Sequence, residues 1–585
     1  MARNWSFHPH DDSAIRQLSG QLRVSPLLAQ ILIARGLDDP ETAGRFLKPS
    51  LSQMHDPALL PGVVEAADRI ISAVRSKRRI TIYGDYDVDG VTSTSLLWHC
   101  LQLCGATVDY YIPCRLEEGY GLNSAALQQL HEEDPGRLVV SVDCGIASVA
   151  EAALAREIGL ELIITDHHHI GQELPEAAVL VHPGLDDGSY PFRDLCGAGV
   201  ALKLAWEICR KLGDGKRASP RMRNYLMSAV GLAAIGTVAD VVPLLDENRA
   251  IVRYGLAGVR EHAPAGFMAL LQAAGLLEKE EIKSEDIAFG LAPRINAAGR
   301  LGQARLAVEL LTTDQQDRAI MLAQHLDKLN KDRKTVERRI LKQAKEQIEQ
   351  HPEWSEHKTL VLAHHEWHQG VIGIVASRIA ELFEKPTVMI SLREDGTGHG
   401  SGRSYAGFEL YNGLASCSEV LDGFGGHQAA AGVRVQESAV DEFRNSLANW
   451  AQLHFQPTEE DTALRIDAEV LLSEVTLPAV RELEKLGPFG ASNPTPRFVC
   501  DRVELAEPPK TMGEGDRHIS IRVRQHKTVM RGVAFGRGDW CEPLANVNGP
   551  LAISFAPVIN SFRGYERVEL HLSDWKESGA ISQAG

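Results

Sequence analysis

The sequence predicts an α/β protein with a parallel-sheet lobe and a smaller α/β lobe joined by a long helix, followed by a C-terminal β-barrel. Three observations predict it. From about Ile70, apolar runs alternate with helix-like segments, the rhythm of βαβ units in a parallel sheet. From Asp314 to Gln350 there is neither glycine nor proline, and apolar residues recur at helical spacing. After about Gln456 the apolar runs shorten and alternate with polar residues, as in antiparallel strands. A chain of 585 residues exceeds one core. We place an N-terminal helical segment at 1–54, the first lobe at 55–313, the connecting helix at 314–352, the second lobe at 353–455 and the barrel at 456–585.

Composition narrows the function. The net charge of −17 excludes a protein that coats nucleic acid with its whole surface, yet leaves room for a local basic groove. The opening MARNWSFHPHDDSAIRQLSG has no secretory pattern. The most apolar long stretch, Ala229 to Leu245, is broken by Asp240 and Pro243, so no membrane span is expected. Nine cysteines without a CxxC fit a reduced, cytoplasmic protein. Cys100 and Cys104 share a helical face.

In chain order, residues 1–54 read as short helical pieces without recognisable chemistry. The strands of the first lobe are RITIY, TVDYYIP, RLVVSVD, LELIITD and AAVLVHP, and the intervening STSLLWHCLQLCG reads as a helix closed by Gly105. The chemistry lies where strands stop. TIYGDYDVDG ends in Asp85, Asp87 and Asp89, with Gly90 turning the chain away. VVSVDCG ends in Asp143, and IITDHHH in Asp166, His167, His168 and His169. Asp240 follows the apolar helix around Ala229 to Ile235. In open α/β sheets ligands bind beyond the carboxyl ends of strands. Taken singly, each acid reads as a helix cap or a solvated turn; independent caps have no reason to gather at one sheet edge.

So many anions together require positive charge, which divalent cations supply through carboxylate oxygen and imidazole nitrogen. Asp143, central in the series, suits a carboxylate shared by two cations, with Asp87, Asp89, His167 and Asp240 completing the set. Two cations about 3.5–4 Å apart can bind both the attacking and the leaving oxygen of an in-line phosphoryl displacement. Asp85, Asp166 and His168 then orient the imidazoles, take protons or serve as alternative ligands.

The connecting helix carries eight Lys or Arg against two acids between Lys328 and Lys345. That pattern fits a solvated face and a nucleic-acid-facing one equally. The second lobe resumes with TLVLAHH, the helix GVIGIVASRIAELF and TVMISL, and offers glycine-rich loops instead of acids. GSGRS presents backbone N–H groups, the Ser401 hydroxyl and the Arg403 fork, suited to phosphate oxygens. GGHQAAAG places His427 in a loop that a substrate backbone can approach closely. The terminal β-rich region reads as a small barrel in which Phe489, Phe498, Phe535, Phe555 and Phe562 either stack bases or fill the core.

The set GDYDVDG, VDCG, TDHHH and ADVVP resembles the DHH phosphoesterase superfamily, whose name derives from Asp166-His167-His168. APRINAAGR, WHQGVIGIVASR, GSGRS and GFGGHQAAAG narrow the resemblance to the RecJ family, from about residue 50 to the end. Tyr83 stands where the pyrophosphatase branch carries a histidine, which sets that branch aside. The resemblance implies a DHH lobe, a DHH-associated lobe and an OB-fold-like barrel. It implies a single-stranded-DNA-specific 5′ to 3′ exonuclease of recombination and repair, using two divalent cations, Mn²⁺ or Mg²⁺. It further implies that Arg115, Arg294, Arg300 and Arg403 grip the DNA backbone or its 5′ phosphate. A monomer working with a single-strand-binding protein and a RecQ-type helicase is expected. The alternatives are a phosphodiesterase of short oligonucleotides or cyclic dinucleotides, and a non-catalytic DNA-binding scaffold; the intact motif acids weigh against the scaffold.

Overall fold

A computed structural model describes residues 4–115, 118–185, 190–215, 217–562 and 564–579, the side chains of His262 and Phe562 excepted. The chain forms two compact units: one of residues 50–456 with 490–492, the other of residues 1–49, 457–489 and 493–585.

The first unit contains both α/β lobes. Five parallel strands form the sheet of the first, in the order Thr107–Tyr111, Arg79–Gly84, Leu138–Val142, Glu161–Thr165, Val179–Val181. Alternation along the strands divides their side chains between two cores. Ile80, Ile82, Val140 and Val142 pack with the helices Val88–Leu103 and Gly197–Leu212 on one face. Tyr83, Val139, Leu162 and Ile164 pack with Leu127 and Ala155 on the other. The strand order reverses between Arg79–Gly84 and Leu138–Val142, so the crevice of this sheet opens at their carboxyl ends, where Asp85 and Asp143 follow.

A 35-residue helix, Gln316–Gln350, leads to the second lobe; at 1.5 Å per residue it spans about 52 Å. It is packed along its length, with Leu322, Leu326 and Leu329 in the core of the first lobe and Ile340 and Ala344 in that of the second. The second lobe is a five-stranded mixed sheet ordered Gly423–Gly426, Ala430–Gln436, Thr397–Arg403, Thr387–Leu392, Leu360–His364.

Here the glycine-rich reading needs correction. GSGR is not a loop but part of the strand Thr397–Arg403, paired on both sides. Its glycines recur at period two: a Cβ on Gly400 would lie 2.4 Å from Val433, and one on Gly402 3.0 Å from Leu410. Small residues therefore face the packed side, while Ser401 and Arg403 face the opposite way. GFGG and AAG likewise form a hairpin, with His427 in its turn.

In the second unit, the five strands Phe498–Met512, His518–Gln525, Thr528–Ala534, Tyr565–Glu577 and Leu551–Phe562 close into a barrel through pairing of the first with the last. The pairing is mixed, since Thr528–Ala534 and Tyr565–Glu577 run parallel. The N-terminal residues fold with this unit: Trp5–Phe7 pairs in parallel with Leu464–Ile466, burying Ile466 beside Val499. Phe498 and Phe555 fill the barrel, Phe535 is exposed, and the Phe562 side chain lies outside the described residues.

Candidate active site

Each acid of the first lobe is placed by the end of a regular element. Asp87 caps the helix Val88–Leu103, accepting from the N–H groups of Asp89 at 2.9 Å and Gly90 at 3.1 Å. Asp89, the second residue of that helix, is buried and accepts from the N–H groups of Gly197 at 2.6 Å and Ala198 at 2.9 Å, at the start of Gly197–Leu212. Helix N-termini favour such carboxylates. Asp143 leaves its strand in the left-handed region, φ 62°, a conformation that costs an ordinary residue of order 1–3 kcal/mol and concentrates at functional sites.

The side chains converge. His167 Nε2 lies 3.2 Å from Asp143 Oδ1, 3.5 Å from Asp240 Oδ2 and 3.8 Å from Asp89 Oδ2. Asp85, Asp87 and Asp143 form a second close group. Asp143 thus stands between two clusters, one with Asp89, His167 and Asp240 and one with Asp85 and Asp87. Burial and mutual repulsion raise the pKa values of Asp85, Asp87 and Asp143, and push Asp240 up to about 8. Burial lowers His167 to about 4, leaving a neutral imidazole.

The donor set fits divalent cations. Asp85 Oδ1, Asp143 Oδ1 and His167 Nε2 are buried without a hydrogen-bond partner, an arrangement that is costly unless something else binds them. All are hard oxygen or imidazole ligands of the kind Mn²⁺ and Mg²⁺ take.

Asp166 and His168 are arranged differently. Asp166 accepts from the N–H groups of Ile146 at 2.8 Å, His167 at 2.7 Å and His168 at 3.1 Å, and lies 2.7 Å from His168 Nδ1. These bonds outweigh burial and hold its pKa near about 2, while Asp166 raises His168 to about 9 against the effect of burial. Asp166 therefore fixes the loop and keeps His168 protonated.

Opposite charge gathers from both lobes: Arg115 and Arg300 come from the first, Arg333 from the connecting helix and Arg403 from the second. Arg300 is lowered to about 10 by burial and by the neighbouring guanidinium groups of Arg115, Arg333 and Arg403; Arg403 is lowered by burial and Arg115. Arg300 Nη1 donates to the Gly370 carbonyl at 3.0 Å, and Arg403 Nη1 to Ser401 Oγ at 2.8 Å. Arg115 lies 5.0 Å over the Tyr86 ring. Among the described residues Arg300, Arg403 and Arg115 form no ion pair, whereas Arg333 is held by Glu337 at 2.8 Å. Arg294 differs from the other three candidates, its Nε and Nη2 engaging Asp327 at 2.9 and 2.8 Å. The His427 ring, in its hairpin turn, lies 6.2 Å from that of His169.

Four residues of the site escape the sequence reading. Tyr120 Oη lies 3.1 Å from the His168 ring. His182 accepts from Gly184 N–H through Nδ1, so its Nε2 donates to the His168 carbonyl at 2.8 Å. A Cβ on Gly197 would lie 2.4 Å from Asp143 Oδ1, and one on Gly236 2.4 Å from Asp89 Oδ1. The only signals were the small-residue run CGAGVA and a glycine one helical turn before Asp240.

Comparison with known proteins agrees with this geometry. Residues 79–237 match the model of the DHH family N-terminal domain, 356–453 the DHHA1 domain and 466–574 the RecJ OB domain. A single-stranded-DNA-specific exonuclease RecJ of Bacillus subtilis is 37% identical over 573 residues, covering 97% of this chain and 70% of the relative. The crystal structure of RecJ from Thermus thermophilus in complex with Mn²⁺ superposes with a TM-score of 0.82 at 31% identity, covering 99% of this chain and 80% of that one. Its Mg²⁺ complex gives 0.77 at 30% identity, covering 99% and 79%.

Proposed function

This chain belongs to the RecJ family of single-stranded-DNA-specific exonucleases within the DHH superfamily, and from that membership we propose that it removes mononucleotides from the 5′ end of single-stranded DNA with two divalent cations. It is a metal-dependent exonuclease. Mn²⁺ or Mg²⁺, both held by the Thermus relative, fit the carboxylate and imidazole donors. When bound, the cations polarise the scissile phosphate and lower the pKa of the attacking water.

The residues divide the remaining work. Asp89, His167 and Asp240 would hold one cation and Asp85 and Asp87 the other, with Asp143 near enough to both groups to serve either. Asp166 orients the loop. His168, protonated at neutral pH, is placed to give a proton to the 3′ oxygen of the departing nucleotide. Arg300 and Arg115 of the first lobe and Arg403 and Ser401 of the second bind phosphate oxygens, with His427 also in the second lobe. The neutralisation of Arg294 by Asp327 supports a structural part for it. The observation that carries the reading is the trio of buried, unpartnered ligand atoms on Asp85, Asp143 and His167.

No helix among the described residues is long and apolar enough to cross a membrane. With the nine cysteines described as free thiols, a cytoplasmic enzyme acting in recombination and repair is the reading that fits. A single-strand-binding protein and a RecQ-type helicase would supply its unwound 5′ ends.

The test compares long 5′-labelled single strands with dinucleotides in Mn²⁺ or Mg²⁺. Progressive release of mononucleotides from the long strands, abolished by chelator, is expected. Turnover of dinucleotides alone, or full activity in excess chelator, would overturn the proposal.

A further inference from the structure

The nuclease reaction makes no use of the cysteines, yet three of them meet in the core of the first lobe. Cys100 and Cys104 stand one turn apart at the end of Val88–Leu103. Cys209 stands near the end of Gly197–Leu212, which packs against that helix. Cys100 Sγ lies 3.9 Å from the carbonyl of Ala205, one turn before Cys209. Cys104, one turn on at the end of the same helix, and Cys209 across the helix pair both neighbour this thiol closely enough to raise its pKa, and burial and Cys100 in turn raise that of Tyr225.

Helix geometry makes this contact more than incidental. Cys100 and Cys209 each stand twelve residues after the first residue of their helices, 88 to 100 and 197 to 209. At 1.5 Å per residue both thiols lie about 18 Å from their helix starts. Those starts meet at one residue: Asp89 begins one helix, and the Gly197 and Ala198 N–H groups that hold its carboxylate begin the other. The two helices that fix a candidate metal ligand at one end therefore pack together at the level of these thiols at the other.

We propose that Cys104, Cys100 and Cys209 form a thiol relay that hydrogen peroxide oxidises to a reversible disulfide, bracing the two helices that hold Asp89. Cys104 is the entry point, being half-buried where the other two are buried. A groove of about 450 Å³ lies beside this helix end, lined by His99, Gln102 and Leu103, the chain neighbours of Cys100 and Cys104. The Cys104 sulfur attacks one peroxide oxygen, breaking the O–O bond and giving Cys104–SOH and water. The Cys100 thiol then displaces the hydroxyl, giving the Cys100–Cys104 disulfide and a second water. Two thiols and one peroxide thus give one disulfide and two waters. Attack of the Cys209 thiolate on the Cys100 sulfur next releases Cys104 as a thiol and moves the bond between the helices.

The hydrogen bond from Cys100 lowers the Cys104 pKa, which favours its role as first nucleophile. Its place at a helix C-terminus disfavours the thiolate, so oxidation should need sustained exposure.

The experiment uses the full-length, Mg²⁺-loaded protein, treated with hydrogen peroxide, alkylated after denaturation and mapped by mass spectrometry. Cys100 joined to Cys104 or to Cys209, restored by dithiothreitol, is the expected result, with the remaining cysteines alkylated as before treatment. In Cys104→Ser the disulfide should be lost, while Cys541→Ser should leave it unchanged. Two outcomes would overturn the relay: Cys104 stopping at sulfinic acid beside a free Cys100, or disulfides formed mainly through Cys114 or Cys541. The wild-type map decides by itself if a serine variant fails to fold, and because its readout is mass, a failure of the nuclease assignment leaves it untouched.

Discussion

The acidic edge of the first lobe and the outer face of the barrel are both rich in charge, and they handle it in opposite ways. On the barrel, arginines face glutamates: Arg531 and Glu569 at 2.9 Å, Arg524 and Glu504 at 3.3 Å, Arg522 and Glu507 at 3.9 Å. At the strand ends the buried Asp85, Asp89 and Asp143 and the half-buried Asp87 gather around a neutral His167, and among the described residues no lysine or arginine pairs with them. Exposed pairs contribute little, about 0–1 kcal/mol. Buried like charges cost several kcal/mol and persist only where the missing charge arrives from outside. Uncompensated burial, more than charge density, distinguishes the reactive edge from ordinary surface.

Removing Asp143, the acid common to both candidate groups, should separate the two costs most sharply. Asp143→Ala should lower exonuclease activity by more than about a hundredfold, beyond the 10–100-fold typical of outer partners of a metal site. The same change should raise the melting temperature of the metal-free protein, because it relieves the buried repulsion while leaving the strained φ in place. Lower activity together with lower metal-free stability would contradict the uncompensated-charge account.

Asp166→Asn should have a smaller effect, about 10–100-fold on activity, since its hydrogen bonds orient the loop and hold His168. The pair also has a pH signature in the metal-free protein. Asp166 is depressed to about 2, so its contribution to stability is present above its unfolded value and lost as pH falls through about 2. His168 is raised to about 9, so its contribution is complete below about 6.5 and lost as pH rises through 9. Denaturant midpoints should therefore show the pair's contribution at its fullest from about pH 4 to 6.5, and Asp166→Asn should flatten that dependence.

Cation affinity should respond more gently still. Asp240, pushed up to about 8, must release its proton to bind, while His167, lowered to about 4, is already neutral. Mn²⁺ affinity measured by calorimetry should rise from pH 6 towards 8 and level off above. A profile flat across that range would mean that Asp240 is not a ligand.

Much of this contrast was legible in the sequence, because strands bring consecutive motifs to one edge whatever their separation. TIYGDYDVDG, VVSVDCG and IITDHHH needed only the parallel-sheet rule to be placed together. GSGRS shows the opposite case: its glycines signal a loop in the sequence, whereas Gly398, Gly400 and Gly402 at period two leave room for Ile390, Val433 and Leu410 beneath a strand. Tyr120 and His182 were hidden because their contacts are to a ring and a carbonyl that only the folded loop presents. The ion pair of Arg294 with Asp327 spans two helices, and no local pattern marks it.

The smallest expected effect tests the other side of the comparison. Arg524→Ala removes one of the barrel's matched charges, at a side chain half exposed to solvent. Its partner Glu504 is more exposed and returns to water without a desolvation penalty, so stability should change by no more than about 0.5 kcal/mol. If the barrel bound phosphates through this arginine, the dependence of single-strand affinity on salt would become shallower by about one counterion. A matched charge releases none, so the slope should stay that of the wild type. An unchanged slope here, with a reduced slope for Arg403→Ala, would place the phosphate contacts where the guanidinium groups are unpaired. A reduced slope for Arg524→Ala would show that pairing with glutamate does not silence an arginine, and the distinction between the two surfaces would fail.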